Sequence, residues 1–126
     1  MIVRILLLAA GFLVSVTSIG YGQSSTPSAG LTMQGAADFG GNIIKDGLGR
    51  PCLDVEAAAR PATINPDMRE HIVSIKNNCL RPIKVKVCYY GSDQCRQLDV
   101  QGYKRADTIL GVMRGIKFFR YTLFQK

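Results

Sequence analysis

Four cysteines, Cys52, Cys79, Cys88 and Cys95, restrict the possible folds of this chain more than any other feature. In a short exported chain, an even number of cysteines is typical of a disulfide framework. Zinc is the alternative, but structural zinc sites usually contain a close cysteine pair such as C-x2-C. The chain has no such pair, and its single histidine does not complete a site. We therefore predict two disulfides and neither a metal nor another cofactor.

The N-terminal residues indicate the compartment in which such disulfides form. One arginine precedes an apolar run over 5–16, which is shorter than the roughly 20 residues that a membrane-spanning helix needs. The small residues of Gly-Tyr-Gly at 20–22 predict signal-peptide cleavage before Gln23, with Ser18 as an alternative cleavage site. We expect a signal peptide over 1–22 and an exported protein, periplasmic or extracellular, without a stable transmembrane segment in the mature chain.

The pairing of the cysteines follows in part from the local sequence. The segment between Cys79 and Cys88 is mostly one predicted strand, which separates the two residues by roughly 30 Å when extended. A disulfide needs Cα atoms within about 7 Å. A four-residue hairpin loop containing Gly-Ser-Asp places Cys88 opposite Cys95. We favour Cys88–Cys95 with Cys52–Cys79, while Cys79–Cys95 with Cys52–Cys88 remains the alternative.

Strict alternation of apolar and polar residues makes Ile83–Tyr90 the clearest predicted strand. The triple alanine Ala57–Ala59 is compatible with either a strand or a helix. Short strands separated by turn sequences indicate a mostly β fold, a small antiparallel sandwich or partly open barrel stapled by disulfides. We expect this β domain to extend over residues 51–126. Further strands are predicted at 52–56, 72–76, 96–100, 108–112 and 118–124.

Residues 23–50 differ in composition from the rest of the chain. They begin with a small, polar stretch and contain repeated glycines. Such a segment buries too little apolar surface to offset the entropy of ordering it. We predict a flexible Gly/Ser-rich leader over 23–50.

Few residues are candidates for catalysis. His71 is the only imidazole, and its position at the start of a strand predicts a surface or capping role. Asp54 and Glu56 lie two residues apart on a predicted strand, and paired carboxylates on one face are the minimum for glycosidase chemistry. These three residues define one alternative function, a small hydrolase or lyase. We expect no catalytic residues and no enzyme.

The formal net charge of +7 is the most informative surface property. Lys84 and Lys86 share one strand face, Lys76 is expected on the neighbouring strand, and Arg81 in the turn between them. Tyr90 is expected beside these cations as a stacking surface. A positive face attracts anionic partners such as nucleic acid, anionic lipid headgroups or acidic polysaccharide. The alternative is a charged exterior that keeps the sheet soluble and protects an edge strand from pairing.

One stretch of the chain resembles known proteins. It consists of Asn77-Asn78-Cys79, the strand Ile83–Tyr89 and Cys95. In this arrangement it is similar to small exported bacterial β-rich proteins of unassigned function, in which an N-x-C turn leads into a strand ending in Cys-Tyr. The resemblance covers roughly residues 52–124. It implies an exported β domain with structural cysteines, and it assigns no activity and no functional residue.

Together these features predict a non-catalytic binding or interaction module of the cell envelope, whose partner is an anionic envelope polymer, a lipid headgroup or another protein. A second alternative, besides the hydrolase or lyase, is a structural or stress-related envelope protein without a specific ligand.

Overall fold

The computed structural model of the protein describes residues 30–126, so the predicted signal peptide and residues 23–29 of the predicted leader lie outside it. Every regular element in this part of the chain is a strand. The strands are β1 (Thr32–Met33), β2 (Asp38–Phe39), β3 (Leu53–Pro61), β4 (Met68–Asn77), β5 (Ile83–Tyr89), β6 (Cys95–Val100), β7 (Arg105–Arg114) and β8 (Tyr121–Gln125).

The strands form two four-stranded sheets. The first sheet has the order β1-β3-β4-β7 and the second has the order β2-β8-β5-β6. All pairs are antiparallel except β2 with β8, which is parallel. Residues 30–126 contain no helix and no closed barrel. The prediction of a mostly β fold, a small antiparallel sandwich or partly open barrel, is therefore confirmed.

The core lies between the two sheets and is built by alternation along the longer strands. In β5, Ile83, Val85 and Val87 are buried, whereas Lys84 and Lys86 are exposed. The opposite sheet contributes equivalent positions, and the buried cluster combines residues of both sheets. Because a period of two matches the strand geometry, this part of β5 buries one face and exposes the other. The largest fully buried side chains include Tyr121, Ile75, Ile83, Leu110, Leu123 and His71.

The triple alanine belongs to a strand. β3 continues from Leu53 through Ala57–Ala59 to Pro61 and pairs with β4 at nine positions. Ala57 and Ala59 are buried against the core. Alanine favours helices in isolation, but here the ladder with a long neighbouring strand and burial between the sheets outweigh that preference. The helical alternative for this segment is wrong.

Part of the predicted leader is folded. β1 pairs with β3 and β2 pairs with β8, so residues 30–50 contribute one short strand to each sheet. Lys45 and Pro51 form a further isolated bridge. The prediction of a flexible leader over 23–50 missed these strands, because strands of two residues are too short to show alternation.

Both favoured disulfides are present. Cys88 and Cys95 are register partners on β5 and β6, with Cα atoms 4.0 Å apart. Cys52 and Cys79 connect the residue before β3 to the turn after β4, with Cα atoms 5.3 Å apart. The alternative pairing is thereby excluded. Two disulfides in a domain of this size are typical of an oxidising compartment.

Candidate functional site

The predicted basic residues do not share one sheet face. Lys76 is the residue before the last of β4 in the first sheet, whereas Lys84 and Lys86 lie on β5 in the second sheet. Our expectation that Lys76 lies on the strand next to Lys84 is therefore wrong. The turn after β4 crosses from one sheet to the other instead of forming a hairpin. Alternation decides which face a residue occupies, but it does not decide which strand becomes the neighbour.

Most of these cations nevertheless lie at one end of the molecule. Strands β3, β5 and β7 begin at this end, and strands β4 and β6 end at it. The register pairs at this end are Leu53↔Asn77, Lys76↔Arg105 and Ile83↔Val100. Four segments of the chain contribute positive side chains to this end. We call the surface formed by these side chains the basic end. Its cations are Lys45, Arg50, Lys76, Arg81, Lys84, Lys104 and Arg105. A shallow depression lined by Lys45, Arg81 and Tyr103 lies among them.

Few of these cations form close ion pairs, although Asp54 and Asp99 are the register partners of Lys76 and Lys84. Within the described residues, the one ion pair at the basic end joins Arg50 to Asp46 at 3.1 Å. A backbone hydrogen bond from Arg50 holds the pKa of Asp46 below its ordinary value. At the opposite end three of the arginines, Arg60, Arg114 and Arg120, lie within 4.0 Å of carboxylates. The positive potential of residues 30–126 is therefore expected to be strongest at the basic end.

A buried asparagine fixes the loops that carry these cations. Asn77 is fully buried, and its amide nitrogen donates to the carbonyl oxygens of Arg81 (2.8 Å) and Val100 (3.2 Å). Its side-chain oxygen accepts a hydrogen bond from the backbone N–H of Cys79 at 2.9 Å. The backbone N–H of Asn77 donates to the carbonyl of Lys104 at 2.9 Å. The Cys52–Cys79 bond closes the same region, so the basic end is a rigid arrangement of loops.

Replacing Asn77 by alanine is expected to lower the free energy of unfolding by about 2 kcal/mol, because buried backbone groups lose their partners. Chemical denaturation followed by circular dichroism measures this change. The matched control is Asn78→Ala, since Asn78 is exposed and its amide donates only to the exposed carboxylate of Asp54. Equal effects of the two substitutions would contradict the structural role of Asn77.

Two of the predicted binding residues lie away from the basic end. Tyr90 is at the other end of β5, where the guanidinium of Arg120 covers its ring at 3.7 Å. Arg120 in turn pairs with Asp38. Lys86 lies on the outer face of the second sheet, with its ammonium 5.8 Å from the ring centre of Phe124. The prediction that Tyr90 lies beside the lysine cluster is therefore wrong, because an extended strand separates the two.

The residues proposed for catalysis are not brought together. Asp54 and Glu56 are exposed on the outer face of the first sheet, opposite Lys76 and Ser74. His71 is fully buried between the sheets. Our expectation of a surface or capping histidine is wrong, since His71 continues the inward alternation of β4. Val73 and Ile75 are alternate buried residues of β4. Continuing the same alternation two residues towards the N-terminus places His71 on the buried face, and this was the signal in the sequence for its burial.

His71 is the polar centre of an aromatic cluster. Its Nε2 donates to the carbonyl of Ile116 at 2.8 Å, since a carbonyl can only accept. This leaves Nδ1 to accept a hydrogen bond from the hydroxyl of Tyr89 at 2.7 Å. Desolvation raises the pKa of Tyr89 above its ordinary value, against the opposing effect of Arg96, so the hydroxyl retains its proton. Phe119 stacks on the imidazole with ring centres 4.2 Å apart.

A glycine makes room for this cluster. Gly111 is the register partner of His71 on β7, beside a β-bulge. A Cβ atom at Gly111 would collide with the hydroxyl of Tyr89, which reaches across the core to His71. Both ring nitrogens of His71 therefore have partners inside the protein, and the imidazole is part of the packed core rather than an exposed base.

The fold and these surface features define a class: a small two-sheet β domain with two disulfides and a rigid basic end. No protein-family model, no curated protein and no solved structure matches the chain. Residues 30–126 contain no group of three or more histidines, cysteines and carboxylates that could hold a metal ion. In the same range no helix of sufficient length and apolarity to cross a membrane is found.

Proposed function

We propose that the protein is a non-catalytic binding module of the cell envelope, exported to the periplasm or the cell exterior, whose basic end binds an anionic partner. The observation that carries this proposal is the unequal pairing of charges at the two ends of the domain. Of the seven cations of the basic end, only Arg50 lies within 4.0 Å of a carboxylate in the described residues. The two disulfides and the N-terminal sequence support export.

The physical basis is electrostatic attraction to a preorganised surface. Unpaired cations that converge from several loops raise the local potential and increase the rate of encounter with an anion. Asn77 and the Cys52–Cys79 bond hold these loops in place. Binding therefore requires little ordering of the backbone, which reduces its entropic cost.

Heparin is a suitable first probe, because it presents a dense linear array of anionic groups. We expect the folded protein to bind heparin with an affinity that falls steeply with salt. The double substitution Arg81→Gln with Lys104→Gln is expected to weaken this binding about tenfold or more, on the basis of about 1 kcal/mol per basic residue near an anionic surface.

The control for this experiment is Arg114→Gln with Lys117→Gln at the opposite end. It also removes one arginine and one lysine, so the net charge changes equally. We expect it to retain most of the affinity. Equal weakening by both double variants would show that net charge alone drives binding. Absence of salt-dependent binding would favour a structural protein without a specific ligand.

A further inference from the structure

The basic end also carries exposed apolar side chains at the tips of three loops. Leu48 is 79% exposed, Leu80 is 77% exposed and Tyr103 is 59% exposed. Single exposed apolar residues are common on protein surfaces. Here, however, three of them occur on separate loops of one end, next to the cations of the basic end.

The structure holds each of these tips in place. The turn with Leu48 is closed by Asp46, whose carboxylate accepts the backbone N–H of Leu48 at 2.9 Å. The turn with Leu80 is fixed by the neighbouring disulfide of Cys79. The backbone N–H of Tyr103 donates to the carbonyl of Cys79 at 3.1 Å.

Tyr103 has an unusual backbone conformation. Its φ angle is 60°, and it is the one non-glycine residue with positive φ among residues 30–126. The adjacent Gly102 allows its own loop to lie close to the backbone of Leu80. A Cβ atom at Gly102 would collide with the carbonyl oxygen of Leu80. Strain of this kind persists only where the surrounding structure enforces it, and it is common at binding sites. The loop thus presents the Tyr103 ring at the surface instead of burying it.

Each apolar tip has a basic neighbour in the sequence. Lys45 and Arg50 flank the turn of Leu48, Arg81 follows Leu80, and Lys104 follows Tyr103. The same end therefore offers cations and apolar groups together. An acidic polysaccharide would satisfy the cations but leave the leucines in water.

We propose that the basic end docks on a bilayer surface rich in anionic phospholipid, with Leu48, Leu80 and Tyr103 inserted into its interfacial region. The flanking cations then contact the phosphates, while the two leucines reach the upper acyl chains and the tyrosine lies at the interface, where its amphipathic ring is favoured. This inference rests on the proposed function, because it names the anionic partner of the same surface.

The opposite end provides a demanding comparison. Ile64 is 99% exposed and Phe118 is 73% exposed there, so that end also presents apolar side chains. Its arginines, however, include the three that pair with carboxylates. If apolar exposure alone directed docking, this end would bind as well as the basic end.

The test uses flotation of the mature protein with vesicles of phosphatidylcholine, with or without phosphatidylglycerol. We expect binding only when phosphatidylglycerol is present, and release at high salt. Leu48→Ser with Leu80→Ser is expected to reduce the partition coefficient about tenfold or more, since each leucine loses favourable apolar transfer. Its retention on heparin should not change. Ile64→Ser with Phe118→Ser is the matched control and is expected to bind vesicles normally.

A fluorescence experiment measures insertion directly, because the chain contains no tryptophan. Tyr103→Trp introduces a single probe at the basic end, and Phe118→Trp introduces one at the opposite end. Phosphatidylglycerol vesicles are expected to shift the emission of the first variant to shorter wavelength and to leave that of the second unchanged. Thermal unfolding by circular dichroism verifies that all variants are folded.

The outcomes separate the two proposals. Binding to heparin without binding to phosphatidylglycerol vesicles would overturn the membrane inference and leave the anionic-partner proposal standing. Binding to neither would overturn both. If the emission of the Phe118→Trp variant shifted and that of the Tyr103→Trp variant did not, docking would involve the opposite end. This result would overturn the inference. A shift confined to Tyr103→Trp, with vesicle binding lost in the double leucine variant, would support it.

Discussion

Replacing Cys52 and Cys79 together by alanine is expected to lower the free energy of unfolding by about 3 kcal/mol. The two residues are 27 positions apart in the sequence, so their bond removes substantial entropy from the unfolded chain. A domain this small buries little apolar surface and depends on such cross-links. Urea denaturation monitored by circular dichroism, for the wild type and the double variant, provides the free energies to compare.

The second disulfide is the natural control. Cys88 and Cys95 are only 7 positions apart, and their strands are paired directly by the hairpin. Their double replacement is expected to cost about 1 kcal/mol less than that of Cys52 and Cys79, since a shorter loop loses less entropy. It should also leave heparin binding intact, because this bond lies away from the basic end. An unchanged denaturation midpoint after complete reduction of both bonds would contradict the stabilising role.

The substitution His71→Ala is expected to lower the free energy of unfolding by about 4 kcal/mol. It leaves a cavity beside Phe119 and removes the partners of the Tyr89 hydroxyl and the Ile116 carbonyl. Deleting a large buried side chain and stranding buried polar groups are among the most destabilising changes known. Equilibrium denaturation by urea, with the same spectroscopic signal, measures the loss.

Substitutions of two tyrosines distinguish the contribution of the His71–Tyr89 hydrogen bond to stability from that of side-chain packing. Tyr89→Phe keeps the ring but leaves Nδ1 of His71 without a donor, so we expect a loss of about 1–2 kcal/mol. Tyr121→Phe is the control. Tyr121 is also buried, but its hydroxyl contacts only the carbonyl of Gly35, at 3.5 Å. We expect its removal to cost much less. If the two tyrosine substitutions were equivalent, the His71–Tyr89 bond would contribute no specific stability.

The predictions from sequence were most accurate where structure is local. Alternation identified β5 as a strand, and the hairpin loop placed Cys88 opposite Cys95, because both features depend on residues close together in the chain. They were least accurate for β1 and β2. A strand of two residues is stabilised by its neighbours in the sheet rather than by its own pattern, so the sequence contained no signal for it.

The candidate site was predicted only in part. Lys76, Arg81 and Lys84, which we selected from the sequence, lie at the same end of the domain. The contribution of Lys45 and Arg50 was missed. The segments of the basic end are distant in sequence, and Asn77 and the Cys52–Cys79 bond bring them together.

The sequence by itself determined which residues form most of the longer strands, which of their faces are apolar, and which cysteines were the favoured pairs. These properties follow from side-chain periodicity and chain geometry over a few residues. Only the tertiary structure decided that β4 and β5 belong to different sheets, that His71 is enclosed by Tyr89 and Phe119, and that cations from four segments form one end. Periodicity of two assigns a residue to a face, but the choice of neighbouring strand depends on long-range packing, to which each short segment contributes only a part.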